Sequence, residues 1–313
     1  MTSFRSIFAL ALTSSIVAFG CTAEHGSSDE TDADGDLQVD ASEAALHGGY
    51  GRRVLGLRFK GLEPLGPDYV YEGWLLVDGA PVSAGRFSLT DPSKALYFSG
   101  PRSVLDRATA YILTIEPKVG DDPAPSKTHV LAGDIMRGYG YPRASLTISH
   151  KAALGTDFST AAGSYFLQTP TSPEPNDYAQ GIWFLNPADG TPSLTLPTLP
   201  EGWVYEGWVV GSDGPVSTGR FKVATGADSD GAGPAAGPSA GPPFPGQDFI
   251  TPPRNLVGGK VVISVEPEMD DSPAPFAIKP LVDGEVTDVG PGVLQPLGNA
   301  SAANAPRGIA VVF

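Results

Sequence analysis

The chain has 313 residues, a formal net charge of −15 and a single cysteine, Cys21. The negative charge argues against partners that are themselves anionic, namely nucleic acid and an anionic membrane surface. One cysteine cannot form an internal disulfide or a cysteine-rich zinc site, so we expect no cofactor and a fold that its hydrophobic core stabilises. The length is sufficient for two domains of ordinary size.

Residues 1–20 predict an export signal. Arg5 precedes an apolar stretch at residues 7–19, which is shorter than the ~20 residues that a membrane-spanning helix needs. The stretch ends in Ala-Phe-Gly-Cys, which resembles a bacterial lipobox. The resemblance implies cleavage before Cys21 and lipidation of its thiol, with the lipid as the only membrane contact. Because Thr22 and not Asp follows, we expect an exported protein anchored to the outer membrane. The alternative is an ordinary secretory signal with an incidental cysteine.

An acidic segment follows the signal. Residues 22–50 contain eight Asp or Glu residues and no Lys or Arg. Apolar residues are too few there to offset the entropy of ordering, which predicts a disordered tether over residues 21–50. The acidic residues from Asp32 onward have spacing similar to a calcium-binding EF-hand. Leu37 stands where that loop needs glycine, so the solvated tether is the preferred interpretation.

Beyond the tether the sequence repeats itself. Residues 69–87 and 203–221 are identical at 11 of 19 positions, with a constant offset of 134. Residues 115–125 and 265–275 also match, with an offset of 150. Two ordered blocks of similarity predict two homologous domains in tandem.

The change of offset means that the second copy holds 16 additional residues between the two blocks. We place them in residues 225–247, a run of Gly, Ala, Pro, Ser and Asp without an apolar period. Such a composition predicts a flexible inserted loop. The predicted domains are residues 51–158 and residues 159–313.

Both copies have the character of β-structure. Gly and Pro make up 70 of the 313 residues, which is too many for long helices. Residues 70–77 and 204–210 are rich in aromatic and branched residues and precede Asp-Gly turn signals, which predicts hairpins. Residues 111–115 and 261–265 are apolar runs that end in Glu-Pro, which predicts buried strands. Many short strands indicate an all-β chain with two β-sandwich-type domains.

Certain polar and aromatic residues recur at matching positions of the repeat. Two recurrent glutamates could do acid–base chemistry, but a salt bridge from the recurrent arginine to one of them is the simpler interpretation. The recurrent tryptophans are expected in the core, together with the recurrent phenylalanine, and a stacking platform is the alternative. If any tryptophans are exposed, we expect them to be Trp183 and Trp203, which have no tryptophan counterparts in the first copy. The recurrent positions are Tyr71, Glu72, Trp74, Arg86, Phe87 and Glu116 in the first copy and Tyr205, Glu206, Trp208, Arg220, Phe221 and Glu266 in the second.

Neither a catalytic residue nor a metal site is predicted, so we do not expect an enzyme. Ser239 lies in a G-x-S-x-G pattern, but within the Gly/Ala/Pro-rich run, where the strand and helix of a nucleophile elbow are not expected. The histidines at positions 25, 47, 129 and 150 lack the spacing of metal ligands and do not recur in the second copy.

The repeated blocks resemble the extracytoplasmic C-terminal domain of the anti-sigma-K factor family. The resemblance rests on a Leu/Pro-rich approach, a Tyr-x-x-Trp strand, a Gly-x-Phe return strand and a later Glu-Pro. The matching residues are Leu62, Leu65, Tyr71, Trp74, Gly85, Phe87, Glu116 and Pro117, with Leu196, Pro200, Tyr205, Trp208, Gly219, Phe221, Glu266 and Pro267 in the second copy.

The resemblance implies the fold and an extracytoplasmic sensing or protein-contact role for an envelope lipoprotein. In that family one membrane helix joins the domain to a cytoplasmic zinc-containing segment that holds the sigma factor. This sequence shows neither part, so we do not expect sigma-factor binding. The expected partner is an unidentified envelope protein or ligand. The alternative is a carbohydrate-binding or structural cell-surface protein.

Overall fold

The computed structural model describes residues 30–31, 37–269 and 272–313. The predicted export signal and Cys21 lie outside the described residues. Within the tether predicted over residues 21–50, the structure describes the short strand β1 (Glu30–Thr31) and the segment from Leu37 onward. That segment forms β2 (Gln38–Val39) and α1 (Ala41–His47). Residues 38–47 of the predicted tether are therefore folded.

Two features explain why this acidic segment folds. The Asp40 carboxylate accepts hydrogen bonds from the backbone N–H groups of Ser42 and Glu43, at 2.7 and 3.1 Å, and so caps α1. Val39 is fully buried against Ile309 and Val311. The apolar surface that orders the segment belongs to the C-terminal strand, which local composition does not reveal.

The next part of the chain contains seven strands and a short helix. They are β3 (Arg52–Lys60), β4 (Tyr69–Val77), β5 (Ala80–Phe87), β6 (Leu96–Pro101), α2 (Arg102–Leu105), β7 (Ala108–Pro117), β8 (His129–Asp134) and β9 (Arg143–Thr147).

The remaining part begins with β10 and ends with β21. The elements are β10 (Ala162–Leu167), the 3-10 helix Tyr178–Gln180, β11 (Gly181–Trp183), β12 (Leu185–Asn186), β13 (Thr191–Pro192), β14 (Leu194–Thr195), β15 (Trp203–Gly211), β16 (Gly214–Phe221), β17 (Gly246–Asp248), β18 (Lys260–Pro267), β19 (Ile278–Asp283), β20 (Gln295–Asn299), α3 (Ser301–Asn304) and β21 (Arg307–Val312).

Most of the strands form two barrel-like antiparallel sheets, while β1 pairs with β2 and β12 pairs with β13 in separate two-stranded sheets. The all-β prediction is therefore confirmed. The first sheet has the order β5-β4-β7-β8-β9-β21-β3-β6. The second sheet has the order β16-β15-β18-β19-β20-β10-β11-β17, with β14 paired beside β10. Position by position, the hairpin and the Glu-Pro strand of each repeat occupy equivalent places in the two sheets.

The sixth position of the first sheet is filled by a strand from the second predicted domain. After β9 of the first sheet the chain enters β10, which belongs to the second sheet, and after β20 of the second sheet it enters β21, which belongs to the first. The last strand of the chain thus lies between β9 and β3. The predicted second domain, residues 159–313, includes β21, but β21 belongs to the first sheet. The predicted boundary between residues 158 and 159 therefore does not separate the two sheets.

The insertion predicted as a flexible loop is packed. Ala232 and Phe244 pack against a cluster that contains the fully buried Trp183, and the backbone N–H of Ser239 donates to the Thr171 carbonyl at 3.1 Å. Trp203 is also buried. Neither tryptophan is therefore exposed, because the insertion covers Trp183 and Phe276 packs beside Trp203.

Candidate functional site

The recurrent residues of the hairpin lie on opposite faces of β4. Tyr71 points into the main core, where its ring lies 5.8 Å from that of Phe87. Trp74 is three residues further and so points to the other face, because side chains alternate along a strand. It is buried with Ile112 and Ala132 in a separate cluster. The prediction that Trp74 and Phe87 share one core is therefore wrong, although Trp74 is buried.

On the same outer face the recurrent arginine is paired with one of the recurrent glutamates. In the second sheet Arg220 is the direct cross-strand partner of Glu206, and its Nε donates to the Glu206 carboxylate at 2.7 Å. The Ser217 hydroxyl donates to the same carboxylate at 2.5 Å. Both partners are desolvated in part, so these charge-assisted bonds satisfy a buried carboxylate that would otherwise be costly.

The first sheet has the equivalent arrangement with a longer ion pair. Arg86 lies opposite Glu72, with Nε 3.4 Å from the carboxylate, and the Ser83 hydroxyl donates to the other oxygen. Arg86 also lies 3.4 Å from Asp121. The guanidinium of the first copy is therefore shared between two carboxylates.

The second recurrent glutamate holds a loop in place. The Trp74 indole donates to Thr114 at 2.9 Å, the Thr114 hydroxyl donates to Glu116, and the Ser126 backbone N–H donates to the same Glu116 oxygen at 2.9 Å. Burial raises the pKa of the Glu116 carboxyl, and the Thr114 hydrogen bond opposes that rise. The network ties the loop after β7 to the strand.

The second copy repeats this network with serine in place of threonine. The Trp208 indole donates to Ser264 at 2.8 Å, Ser264 donates to Glu266, and the Phe276 backbone N–H donates to Glu266 at 2.8 Å. In both copies the recurrent tryptophan and glutamate therefore act together to position the loop that follows the Glu-Pro strand end.

These two loops border a cavity of about 840 Å³ between the two sheets. Pro117 and Pro267, which are equivalent in the repeat, both line it. Its walls come from both sheets and are largely apolar. The apolar lining residues are Pro64, Leu65, Pro67, Tyr69, Ile115, Pro117, Ala124, Pro125, Pro267, Met269, Pro273 and Phe276.

Direct contacts between the two repeats determine the distance between the two sides of the cavity. The Tyr69 hydroxyl donates to the Met269 carbonyl at 2.8 Å, and Lys127 Nζ forms an ion pair with Glu201 at 2.7 Å. Gly202 packs so closely that a Cβ there would lie 3.0 Å from the Lys127 carbonyl group. The two sides of the cavity therefore have a defined separation.

The cavity has a pronounced excess of negative charge. Among the described residues that line it, Lys127 is the one basic side chain, and Lys127 is already paired. The carboxylates among the lining residues are Glu63, Asp68, Glu116, Asp121, Asp122 and Glu268.

Among residues 30–31, 37–269 and 272–313, no group of three or more His, Cys, Asp and Glu side chains is arranged to hold a metal ion. The same residues contain no helix that is long and apolar enough to cross a membrane. All four tryptophans of the chain are buried, so they do not form an exposed stacking platform.

Sequence reasoning identified the residues beside the cavity but not the cavity itself. The repeated Glu-Pro blocks were visible as similarity, and their Pro and Asp content is the signal that a loop follows each strand. That the two loops face one another depends on how the sheets pack. No local pattern contains that information.

The class of protein is thus all-β, with two barrel-like sheets joined by an exchanged strand and a cavity between them. The family model described as "Anti-sigma-K factor rskA, C-terminal" matches residues 9–129, which end at the start of β8. The resemblance to this family is therefore confirmed for the first repeat, and the match does not extend to the second. No protein of curated function and no solved structure matches the chain.

Proposed function

We propose that this protein is a non-enzymatic lipoprotein of the bacterial envelope that binds a segment of another envelope component in the cavity between its two sheets. The observation that carries the proposal is the cavity itself. Its volume of about 840 Å³ lies within the range of roughly 300–1,000 Å³ that ligand sites occupy. The match to the C-terminal region of an anti-sigma factor supports a role in sensing or protein contact outside the cytoplasm.

The bonding of the recurrent glutamates supports the absence of catalysis. Glu206 is paired with Arg220, and Glu266 accepts bonds from Ser264 and Phe276. A general acid or base must reach substrate with a free lone pair or proton. These carboxylates instead accept hydrogen bonds that connect strands and loops to one another.

The lipobox-like sequence that ends at Cys21 supports attachment to the membrane by a lipid. Binding of a sigma factor is not part of the proposal. An exported protein would contact its partner on the far side of the membrane from any sigma factor.

A pull-down from the native envelope tests the proposal. Ala124 is exposed and lines the cavity, whereas Ala274 is its exposed equivalent in the repeat and does not. The Ala124→Trp variant should fill the cavity and lose the bound component, and the Ala274→Trp variant should retain it. Equal capture by both variants, with unchanged thermal unfolding, would place the contact elsewhere and contradict the proposal.

A further inference from the structure

Resting on the proposed function, we propose that the cavity receives a basic side chain, Lys or Arg, from an extended segment of an envelope protein. The apolar walls would contact the methylene stem, and the acidic rim would contact the charged end. The whole chain has 35 acidic and 20 basic residues, whereas the described residues that line the cavity include six acidic residues and one basic residue. The acidic excess is thus much greater at the cavity than in the chain as a whole.

Not all six carboxylates are equally available. Asp121 lies near Arg86, Glu268 forms an ion pair with Lys222, and Glu116 is buried within its loop network. Glu63 is half-buried. Asp68 and Asp122 are exposed and form no ion pair within the described parts of the chain. These two carboxylates therefore carry the charge that an entering cation would neutralise.

The walls are suited to the stem of such a side chain. Leu65, Ile115 and Phe276 supply apolar surface, and long basic side chains bury their methylene groups while the charged end stays near polar groups. The Tyr69 ring is fixed by its hydrogen bond to Met269 and adds an aromatic face, to which cations are attracted.

The size of the cavity favours a peptide over a free amine. At about 840 Å³ it is larger than one Lys or Arg side chain requires. Asp68 and Asp122 lie on the side of the first repeat, and Met269 and Pro273 lie on the side of the second. A segment that enters the cavity would therefore contact both sheets. Because the separation of the two sides is held by existing contacts, little ordering entropy would be lost on binding.

The test uses the full chain and calorimetric titration with the acetylated peptide amide Gly-Leu-Lys-Leu-Gly. Comparison peptides replace Lys by Glu or by norleucine, and cadaverine represents the free amine. The protein variants are Asp68→Asn/Asp122→Asn and, as a control with the same change of charge, Glu174→Gln/Glu285→Gln. Glu174 and Glu285 are exposed and do not line the cavity.

We expect the Lys peptide to bind at least tenfold more tightly than the Glu and norleucine peptides and cadaverine. The Asp68→Asn/Asp122→Asn variant should lose at least fivefold in affinity, with a weaker dependence on salt, while the control variant should bind as the unchanged protein does. Equal affinity for the norleucine or Glu peptide would overturn the inference but leave a binding cavity intact.

Cadaverine binding as tightly as the Lys peptide would overturn the assignment to a protein segment. Absence of any binding of the Lys peptide would overturn the inference as a whole. The proposed function would then be judged separately by the capture experiment with Ala124→Trp, so the two failures remain distinguishable.

Discussion

Gly308 on β21 lies directly opposite Leu146 on β9, although the two residues belong to different repeats of the sequence. The equivalent pair in the second sheet is Gly163 on β10 and Leu297 on β20. Both glycines are closely approached by side chains, since a Cβ would lie 2.7 Å from Phe59 at Gly308 and 2.6 Å from Leu194 at Gly163. In each sheet, a glycine on the sixth strand therefore leaves room for a side chain of a neighbouring strand.

The position of β21 predicts that the first sheet does not fold without the end of the chain. Residues 37–158 expressed alone should show no cooperative thermal unfolding by circular dichroism, because β9 and β3 lose the strand between them. Adding residues 159–313 as a separate fragment should restore the transition. A cooperative transition of residues 37–158 alone would contradict this account and would support an independent first domain.

Trp74→Ala should destabilise the protein by about 3–5 kcal/mol, because it removes a large buried side chain and leaves the Thr114 hydroxyl without the indole. Urea unfolding followed by circular dichroism measures this loss. A role of Trp74 in stacking on a ligand would instead leave the unfolding free energy unchanged. Tyr139→Ala is the control, since that aromatic side chain is fully exposed.

Arg220→Met should cost more stability than Arg86→Met. The Arg220 ion pair is shorter, at 2.7 Å against 3.4 Å, and the arginine side chain is more buried, at 26% against 35% exposed. We expect a loss of about 1–3 kcal/mol for Arg220→Met, since Glu206 is left buried without its partner. In chemical denaturation, Glu206→Gln/Arg220→Met should recover part of that loss. Equal effects of the two arginine substitutions would contradict the comparison.

The stability of the second sheet should depend on pH through Asp228. Burial raises the pKa of this carboxyl from 3.8 to about 7, with a further contribution from Asp230, while the backbone N–H of Gly246 donates to it at 2.9 Å. Between these two values the folded chain binds more protons than the unfolded chain. The unfolding free energy should therefore fall as the pH rises from about 4 to 7.

Asp228→Asn should remove this fall, because the amide has no charge to desolvate and its oxygen can still accept from Gly246. Melting temperatures at pH 5 and pH 7.5 measure the difference. Asp230→Asn should only reduce the fall, since it removes the neighbouring charge and leaves Asp228 buried. A pH profile of Asp228→Asn identical to that of the unchanged protein would refute the assignment.

Deletion of residues 229–243 should destabilise the second sheet, contrary to what the composition of the insertion suggests. The deletion removes Ala232 from the apolar cluster that contains Trp183, and it removes the backbone partners that Ser239 and Gly237 provide for Thr171. We expect a fall in melting temperature of at least several degrees, with a red shift of tryptophan fluorescence. A melting temperature within one degree of the unchanged protein would show that these contacts contribute little.

The sequence by itself determined the β character of this protein, the repeat and the residues that recur in it. Turn signals, the high content of Gly and Pro, and the alternation of aromatic and branched residues act over a few positions, so they can be read locally. The faces of β4 were also accessible from sequence, because the spacing of Tyr71 and Trp74 already places them on opposite sides.

Tertiary structure alone decided three further points. The segment with Val39 and α1 is ordered because Val39 packs against Ile309 and Val311. The insertion is ordered because it packs against the buried cluster that contains Trp183. β21 belongs to the first sheet because a gap between β9 and β3 is filled by a strand from the far end of the chain. Each of these outcomes depends on the burial of apolar surface that a distant segment supplies. The composition of the segment that covers this surface therefore does not predict that the segment will be ordered.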